Sequence, residues 1–343
     1  MKNDQRLANR TRLLAGDIGA TKTNLALFSS GEPLRNFNKA AILLGDEYLS
    51  ALDAIRAYFK NNQVEADYAC IGVAGPVIER RVHMINLDWM VDAPELEESL
   101  GLKRVWLLND LEAAAQAIPI LEDDEVAILN AGQPDPEGAI AVIAPGTGLG
   151  IGFLTKGERG YTAHATEGGH TDFAPTDETQ EELLSYLRPR MEHVSLETVC
   201  SGVGLPNVYA FLRDSGRFEE PGWLKERLAA ADDFTPVIVE AALDPSAPSE
   251  ICLQAVQIFV DVLAASVSNL ALMMGAMGGV FIGGGIPPRI LPLLLQERFL
   301  KRYLNKAGYE DYLQRVPVKV ILNTNAALLG AADYGLKRIE ELV

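Results

Sequence analysis

Apolar residues in this chain fall in short extended runs that end on glycine. The stretches RLLAGDIG (residues 12–19) and TNLALF (residues 23–28) are both strand-like, and Ser29, Ser30 and Gly31 close the second. Together they predict strand, turn, strand, with an aspartate at the first edge and glycine and threonine at the tip. The arrangement recurs in AIAVIAPGTGLGIGFL (residues 139–154), whose turn holds Gly146, Thr147, Gly148 and Gly150. Two such hairpins about 130 residues apart predict an internally duplicated fold with halves facing each other across a cleft. A third run, GGVFIGGGIPPR (residues 278–289), reads as a buried strand leading into Gly283, Gly284 and Gly285.

Helical patterning lies between these runs. In RVWLLNDLEAAAQAI an apolar strand from Val105 to Leu108 ends at Asn109 and Asp110, and a helix carrying Ala113, Ala114, Ala117 and Ile118 begins at once. The segment TDETQEELLSYL predicts a helix with Thr176 as its N-cap and Leu183, Leu184 and Leu187 on one face. In HVSLETVCSG, Glu197 reads as an early helix residue capped by Ser195, at the positive end of the helix. From Val262 to Pro288 no residue is charged, a length that imitates a membrane span. Ser266, Ser268 and Asn269 interrupt it, however, and Gly275, Gly278 and Gly279 break it before a VFI run. A buried helix, a glycine turn and a buried strand are expected there instead.

Composition narrows the function classes. With 343 residues, 48% hydrophobic and 22% charged, the chain is expected to be a soluble globular protein of two domains. A formal net charge of −17 repels nucleic-acid backbones, and no basic patch large enough to overcome it is visible. The basic residues of the leader MKNDQRLANRTR, namely Lys2, Arg6, Arg10 and Arg12, are interrupted by Asp4 and read as a solvated arm. Cys70, Cys200 and Cys252 are widely spaced and odd in number, which predicts neither a disulfide framework nor a zinc site and fits a reducing cytoplasm.

The chemistry starts at GDIGATKT (residues 16–23). Gly16, Lys22 and Thr23 have P-loop spacing, but Thr21 stands where the second glycine belongs, and a strand follows where a P-loop feeds a helix. No helix follows the glycines of residues 146–150 either, so a dinucleotide fingerprint is not expected. A hairpin tip of this kind offers backbone amides and a hydroxyl to phosphate oxygens, and Asp17 has the chemistry to hold a hydrated magnesium ion. Asp110 stands at the carboxyl end of a strand, where open α/β sheets place ligands; by position alone it equally reads as a helix cap. In TEGGHTDF, Glu167 and His170 flank two glycines in a loop, free to project toward a ligand or simply to lie on the surface.

Taken together, DIGATKTNLALF, LLNDLEAAAQAIP, APGTGLGIGFL, EGGHTDFAP, SLETVCSGVGL and GGVFIGGGIPPR, in this order over nearly the whole chain, resemble bacterial glucokinase of the non-ROK type. That family belongs to the hexokinase, actin and heat-shock-chaperone superfold. The resemblance implies an α/β fold of two ribonuclease-H-like domains with an interdomain cleft that closes on sugar. It implies ATP with Mg2+, phosphate loops at Asp17, Gly19, Ala20 and Thr21 and at Gly146, Thr147 and Gly148, and an adenosine region at Gly283, Gly284 and Gly285. It gives Asp110 the role of catalytic base, Asn109, Asp110, Glu167, His170 and Glu197 the sugar, and Asp17 the metal through water. Members are often dimers, so a cytoplasmic homodimer acting on a small sugar, with no nucleic-acid or membrane partner, is expected.

The expected first domain covers residues 1–119 with the returning helix 326–343, and the second covers 120–325. The family's first loop usually reads Asp-X-Gly-Gly-Thr, and Ala20 replaces its second glycine. The ROK zinc cysteines after His170 are missing, which leaves that histidine free to bond sugar. The alternatives are a kinase for another hexose, or an actin-like or chaperone-type ATPase, which would keep the phosphate loops without needing the sugar set.

Overall fold

The computed structural model describes residues 11–19, 21–84 and 87–342. Lys2, Arg6 and Arg10 of the leader, Ala20 of the first turn and Asn86 lie outside the described residues. The chain is an α/β protein with mixed sheets, and it divides into two compact units. One comprises the described residues of Met1–Glu122, Tyr161–Ala165 and Asn323–Val343; the other comprises Asp123–Gly160 and Thr166–Leu322.

In the first unit the chain forms β1 (Arg12–Ile18), β2 (Lys22–Ser29), β3 (Asn38–Leu44), α1 (Ala51–Asn62), β4 (Tyr68–Val73), β5 (Arg81–Met84), β6 (Trp89–Asp92), α2 (Ala93–Leu100), β7 (Arg104–Asn109) and α3 (Asp110–Ala117). The main sheet has the order β3-β2-β1-β4-β7. β2 is antiparallel to both β1 and β3, and β1, β4 and β7 are parallel. Alternation along the strands separates two apolar faces. Leu14, Ile18 and Leu25 join Ile55, Tyr58 and Leu96 on one side. Leu13, Ala15, Ala26 and Phe28 join Ala113, Leu328 and Leu329 on the other, where the C-terminal helix Ala326–Glu340 packs on α3 and β1. The helices start on side-chain caps: Ser50 Oγ accepts the Asp53 N–H at 3.1 Å, and Asp92 accepts that of Glu95 at 3.2 Å.

The second unit contains β8 (Val126–Asn130), β9 (Ile140–Pro145), β10 (Leu149–Gly157), the helices α4 (Glu178–Leu187), α5 (Gly204–Asp214), α6 (Gly222–Ala229), α7 (Phe234–Ala242) and α8 (Glu250–Met274), and after them two further strands. β11 (Gly160–Thr166), most of which belongs to the first unit, follows β10 in the chain, and β12 (Gly279–Ile282) and β13 (Val318–Ile321) follow α8. The strands run β10-β9-β12-β13-β8, with β9 and β10 antiparallel and β9, β12 and β13 parallel. This repeats the first unit, in which an antiparallel hairpin is likewise followed by two parallel strands.

The uncharged stretch is a buried helix, a turn and a strand, as its breakers imply. α8 stops at Gly275, which adopts φ 56°, and β12 follows. Among the described residues α8 alone is long and apolar enough to cross a membrane, and 83% of its most apolar window is buried within the protein. Its one deeply buried charge, Asp261, is held by the two-pronged guanidinium of Arg298 at 2.8 and 2.6 Å, which offsets the cost of burying a carboxylate.

Sequence placed the cap of α4 one residue early. Asp177, extended at φ −156°, is the N-cap and accepts the Gln180 N–H at 3.0 Å. Thr176 instead donates its N–H back to Gln180 Oε1 at 2.9 Å, so the reciprocal pair closes around the neighbouring acid.

Candidate active site

In the first unit, parallel pairing aligns the carboxyl ends of β1, β4 and β7: Ile18 lies beside Val73, and Val73 beside Asn109. Asp17 and Asp110 therefore stand at one edge of the sheet. Across the hairpin Asp17 pairs with Asn24, whose Nδ2 donates to Asp17 Oδ2 at 3.4 Å. Burial pushes the Asp17 carboxyl up to about 6; the Asn24 hydrogen bond opposes this and the charge of Asp110 adds to it. Asn24 is absent from the residues singled out by sequence, although hairpin register around residues 17–24 was enough to find it.

The strand-to-helix junction corrects one reading. Asn109, not Asp110, caps α3: its Oδ1 accepts the N–H groups of Leu111 at 2.9 Å and Glu112 at 3.4 Å. Its Nδ2 donates to Gly75 O at 3.1 Å. Both ends of the Asn109 amide are thus engaged within the protein, with one N–H hydrogen left over for a ligand. Asp110 is the first helical residue and is exposed. Desolvation by the surrounding protein raises its carboxyl above the usual range, while the amides of Leu111 and Asp110 and the Asn109 side chain pull the other way. A reachable carboxylate with raised proton affinity has the properties of a general base.

In the second unit the hairpin tip between β9 and β10 is closed by Gly146 N–H to Gly148 O at 2.9 Å. It is braced from behind, since Gly202 N–H donates to Gly146 O at 2.7 Å and Val203 N–H to Thr147 O at 3.1 Å. Glu197 lies in a turn before α5 rather than in a helix. Ser201 Oγ donates to the Glu197 carbonyl at 2.7 Å, and the Glu197 N–H donates to Gly169 O at 2.9 Å, so local turn bonds replace the helical ladder expected from Ser195. The Glu197 Oε2 accepts the Leu149 N–H at 2.8 Å. A Cβ at Gly148 would stand 2.5 Å from Glu197 Oε2, so a side chain there would push the carboxylate from this contact.

Around Glu197 gather the other polar residues of the second unit. His170 Nδ1 is 3.9 Å from Glu197 Oε1, and His170 Nε2 is 3.9 Å from Glu167 Oε2. The side chains of Glu167 and His170 are exposed and that of Glu197 is half-buried. Gly283 N–H donates to Ile143 O at 2.8 Å and Ile286 N–H to Pro145 O at 3.3 Å. These bonds seat the Gly283–Gly285 turn against the end of β9. Gly284 has φ +82°, and a Cβ there would meet Pro145 O at 2.2 Å, so only glycine permits the approach. Gly146 to Gly148, Gly283 to Gly285, Glu167, His170 and Glu197 are thus brought together in the second unit. Asp17, Gly19, Thr21, Asn109 and Asp110 belong to the first.

Solved structures similar to this chain include sugar kinases. A glucokinase from an Antarctic psychrotroph, solved by crystallography, is 31% identical and superposes with a TM-score of 0.81, covering 95% of this chain and 99% of that one. A ROK-family glucokinase from Streptomyces griseus, crystallised with glucose and AMPPNP, shares the fold at a TM-score of 0.64 and 20% identity, covering 96% of this chain and 100% of that one. The glucokinase of Nostoc punctiforme is 35% identical over 338 residues, covering 94% of this chain and 98% of that protein. The Glucokinase family profile matches residues 14–337; the chain belongs to the glucokinase family.

Proposed function

We propose that the chain transfers the terminal phosphoryl group of ATP to the 6-hydroxyl of glucose, releasing ADP and glucose 6-phosphate. Family membership over nearly the whole chain supports the activity. The structural observation that carries the assignment of roles is Asp110, accessible at the carboxyl edge of parallel strands with its proton affinity raised. In this reading Asp110 accepts the proton of the primary hydroxyl as that oxygen attacks the γ-phosphoryl in line. Asn109, Glu167, His170 and Glu197 orient the sugar through its hydroxyls. A sugar lacking one of these hydroxyls leaves a buried polar group unpaired, at about 1–3 kcal/mol. The tips at Asp17 to Thr21 and Gly146 to Gly148 serve the phosphates, and Gly283 to Gly285 the adenosine.

The donor set also fits Mg2+. Asp17 keeps one carboxylate oxygen free of Asn24, and no cluster of three or more candidate ligands occurs among the described residues. This suits an ion that retains waters and takes phosphate oxygens, held by Asp17 through water. When bound, such an ion neutralises charge on the β- and γ-phosphoryl oxygens.

The proposal includes two ribonuclease-H-like domains of the actin and hexokinase type, residues 1–119 with 326–343 and residues 120–325, that close on the sugar and exclude water from the reaction. A cytoplasmic homodimer, as expected from the family, belongs to the same proposal. An ATPase without a sugar substrate would have no use for Glu167, His170 and Glu197. A coupled ADP-release assay with ATP, Mg2+ and a panel of hexoses tests the reading: release that depends on glucose supports it, and hydrolysis indifferent to sugar overturns it.

A further inference from the structure

Lys22 is the residue of GDIGATKT that the roles above leave without a task. It opens β2 and is exposed, and among the described residues its ammonium has no hydrogen-bond or ion-pair partner. Its position is nevertheless fixed, because its carbonyl accepts the Gly19 N–H at 2.9 Å and so closes the hairpin tip.

Strand geometry says which way it points. Residues two apart leave the same face of a strand, so Lys22 shares the face of Asn24, the residue that pairs with Asp17 and bonds its carboxylate. Farther along the same face, Ala26 and Ala15 pack with Ala113 of α3, the helix that begins at Asp110. Lys22 is therefore the cation at the rim of the surface that carries Asp17 and Asp110.

That surface needs one. Asp17 and Asp110 are both acids at this edge of the sheet, and a triphosphate must come close to them against their charge. Three further cations of this unit are committed elsewhere. Arg80 is bonded to Glu97, Arg81 to Asp92 at 2.7 Å and Lys337 to Asp333 at 2.6 Å.

We propose that the Lys22 ammonium binds the terminal phosphate oxygens of ATP, as a compact point charge at the tip of the first hairpin. This rests on the kinase reading and adds to it a phosphate-binding residue outside the Asp17 to Thr21 loop.

The test compares Lys22→Met and Lys22→Arg with the wild-type chain, measuring KM for MgATP, KM for glucose and kcat, with calorimetric titration of AMPPNP and of AMP in the presence of Mg2+. Charge-assisted hydrogen bonds of this class predict that Lys22→Met raises KM for MgATP and weakens AMPPNP binding by about 10- to 100-fold. KM for glucose and the affinity for AMP stay within about twofold, and Lys22→Arg recovers most of the loss. Because the side chain is exposed, the thermal midpoints stay together. AMPPNP affinity and KM for MgATP within twofold of wild type in Lys22→Met overturn the inference, as do parallel losses for glucose and AMP. If the wild-type chain itself shows no glucose-dependent ADP release, the kinase reading fails, and this inference with it.

Discussion

Glu197 accepts the backbone N–H of Leu149 at 2.8 Å through Oε2, and its other oxygen lies 3.9 Å from His170. One carboxylate thus fixes the edge of the second hairpin tip and faces a residue proposed to hold sugar. Replacing Glu197 by Ala leaves the Leu149 amide without its charged acceptor, an expected loss of about 1.5–3 kcal/mol. Glu197→Ala should lower the thermal midpoint and raise KM for both glucose and ATP. Glu197→Gln keeps an acceptor for Leu149, so it should hold the midpoint within a few degrees while still raising KM for glucose. Calorimetric unfolding beside steady-state kinetics separates the two effects.

Asp17 ties function to a loss of stability. Its carboxyl is raised to about 6 in the folded protein, against about 3.9 for an unperturbed aspartate. The folded state therefore holds the proton more tightly than the unfolded chain. The stability this confers is complete below pH about 4 and is lost as pH rises through 6. Asp17→Asn removes the ionisation and keeps an acceptor for Asn24. Its thermal midpoint should match wild type near pH 4 and exceed it at pH 7, while its kinase activity falls. A midpoint below wild type at pH 7 would contradict the electrostatic account of this residue.

Gly284→Ala places a Cβ at φ +82° and 2.2 Å from Pro145 O. Backbone strain of this kind costs about 1–3 kcal/mol, and relief requires the turn to move away from β9. A lower midpoint and a higher KM for ATP are expected, with KM for glucose spared; the two KM values from one titration series decide it.

Asp110 should contribute to the acid limb of the rate profile beside Asp17. Its carboxyl titrates above the usual carboxylate range because of desolvation, and only the ionised form accepts a proton. Wild-type kcat should therefore fall as pH drops through that raised value, at a higher pH than an unperturbed aspartate would give. The residual rate of Asp110→Asn should lose this contribution and keep only the limb set by Asp17, whose carboxyl is raised to about 6.

Both hairpins, the helix and strand hidden in the uncharged stretch, and Asp110 at the start of α3 were legible in the sequence. Each is written locally, in apolar runs, glycine breaks and a strand-to-helix change of period. The misreadings fall where neighbours compete or where contacts are distant in sequence. Asn109 and Asp110 are both good caps, as are Thr176 and Asp177, and backbone extension at one of each pair decides. Glu197 looked helical because Ser195 and the acid form a plausible start, yet its carboxylate is held by Leu149, 48 residues away. No local pattern carries that bond.

The central claim, that Asp110 is the base in phosphoryl transfer to glucose, is tested most directly by the ratio of glucose-dependent ADP release in Asp110→Asn to that in wild type, with glucose affinity measured on both by calorimetry. The account predicts glucose affinity within about threefold and a loss of kcat of about 10²-fold or more. An unchanged turnover in Asp110→Asn would contradict it.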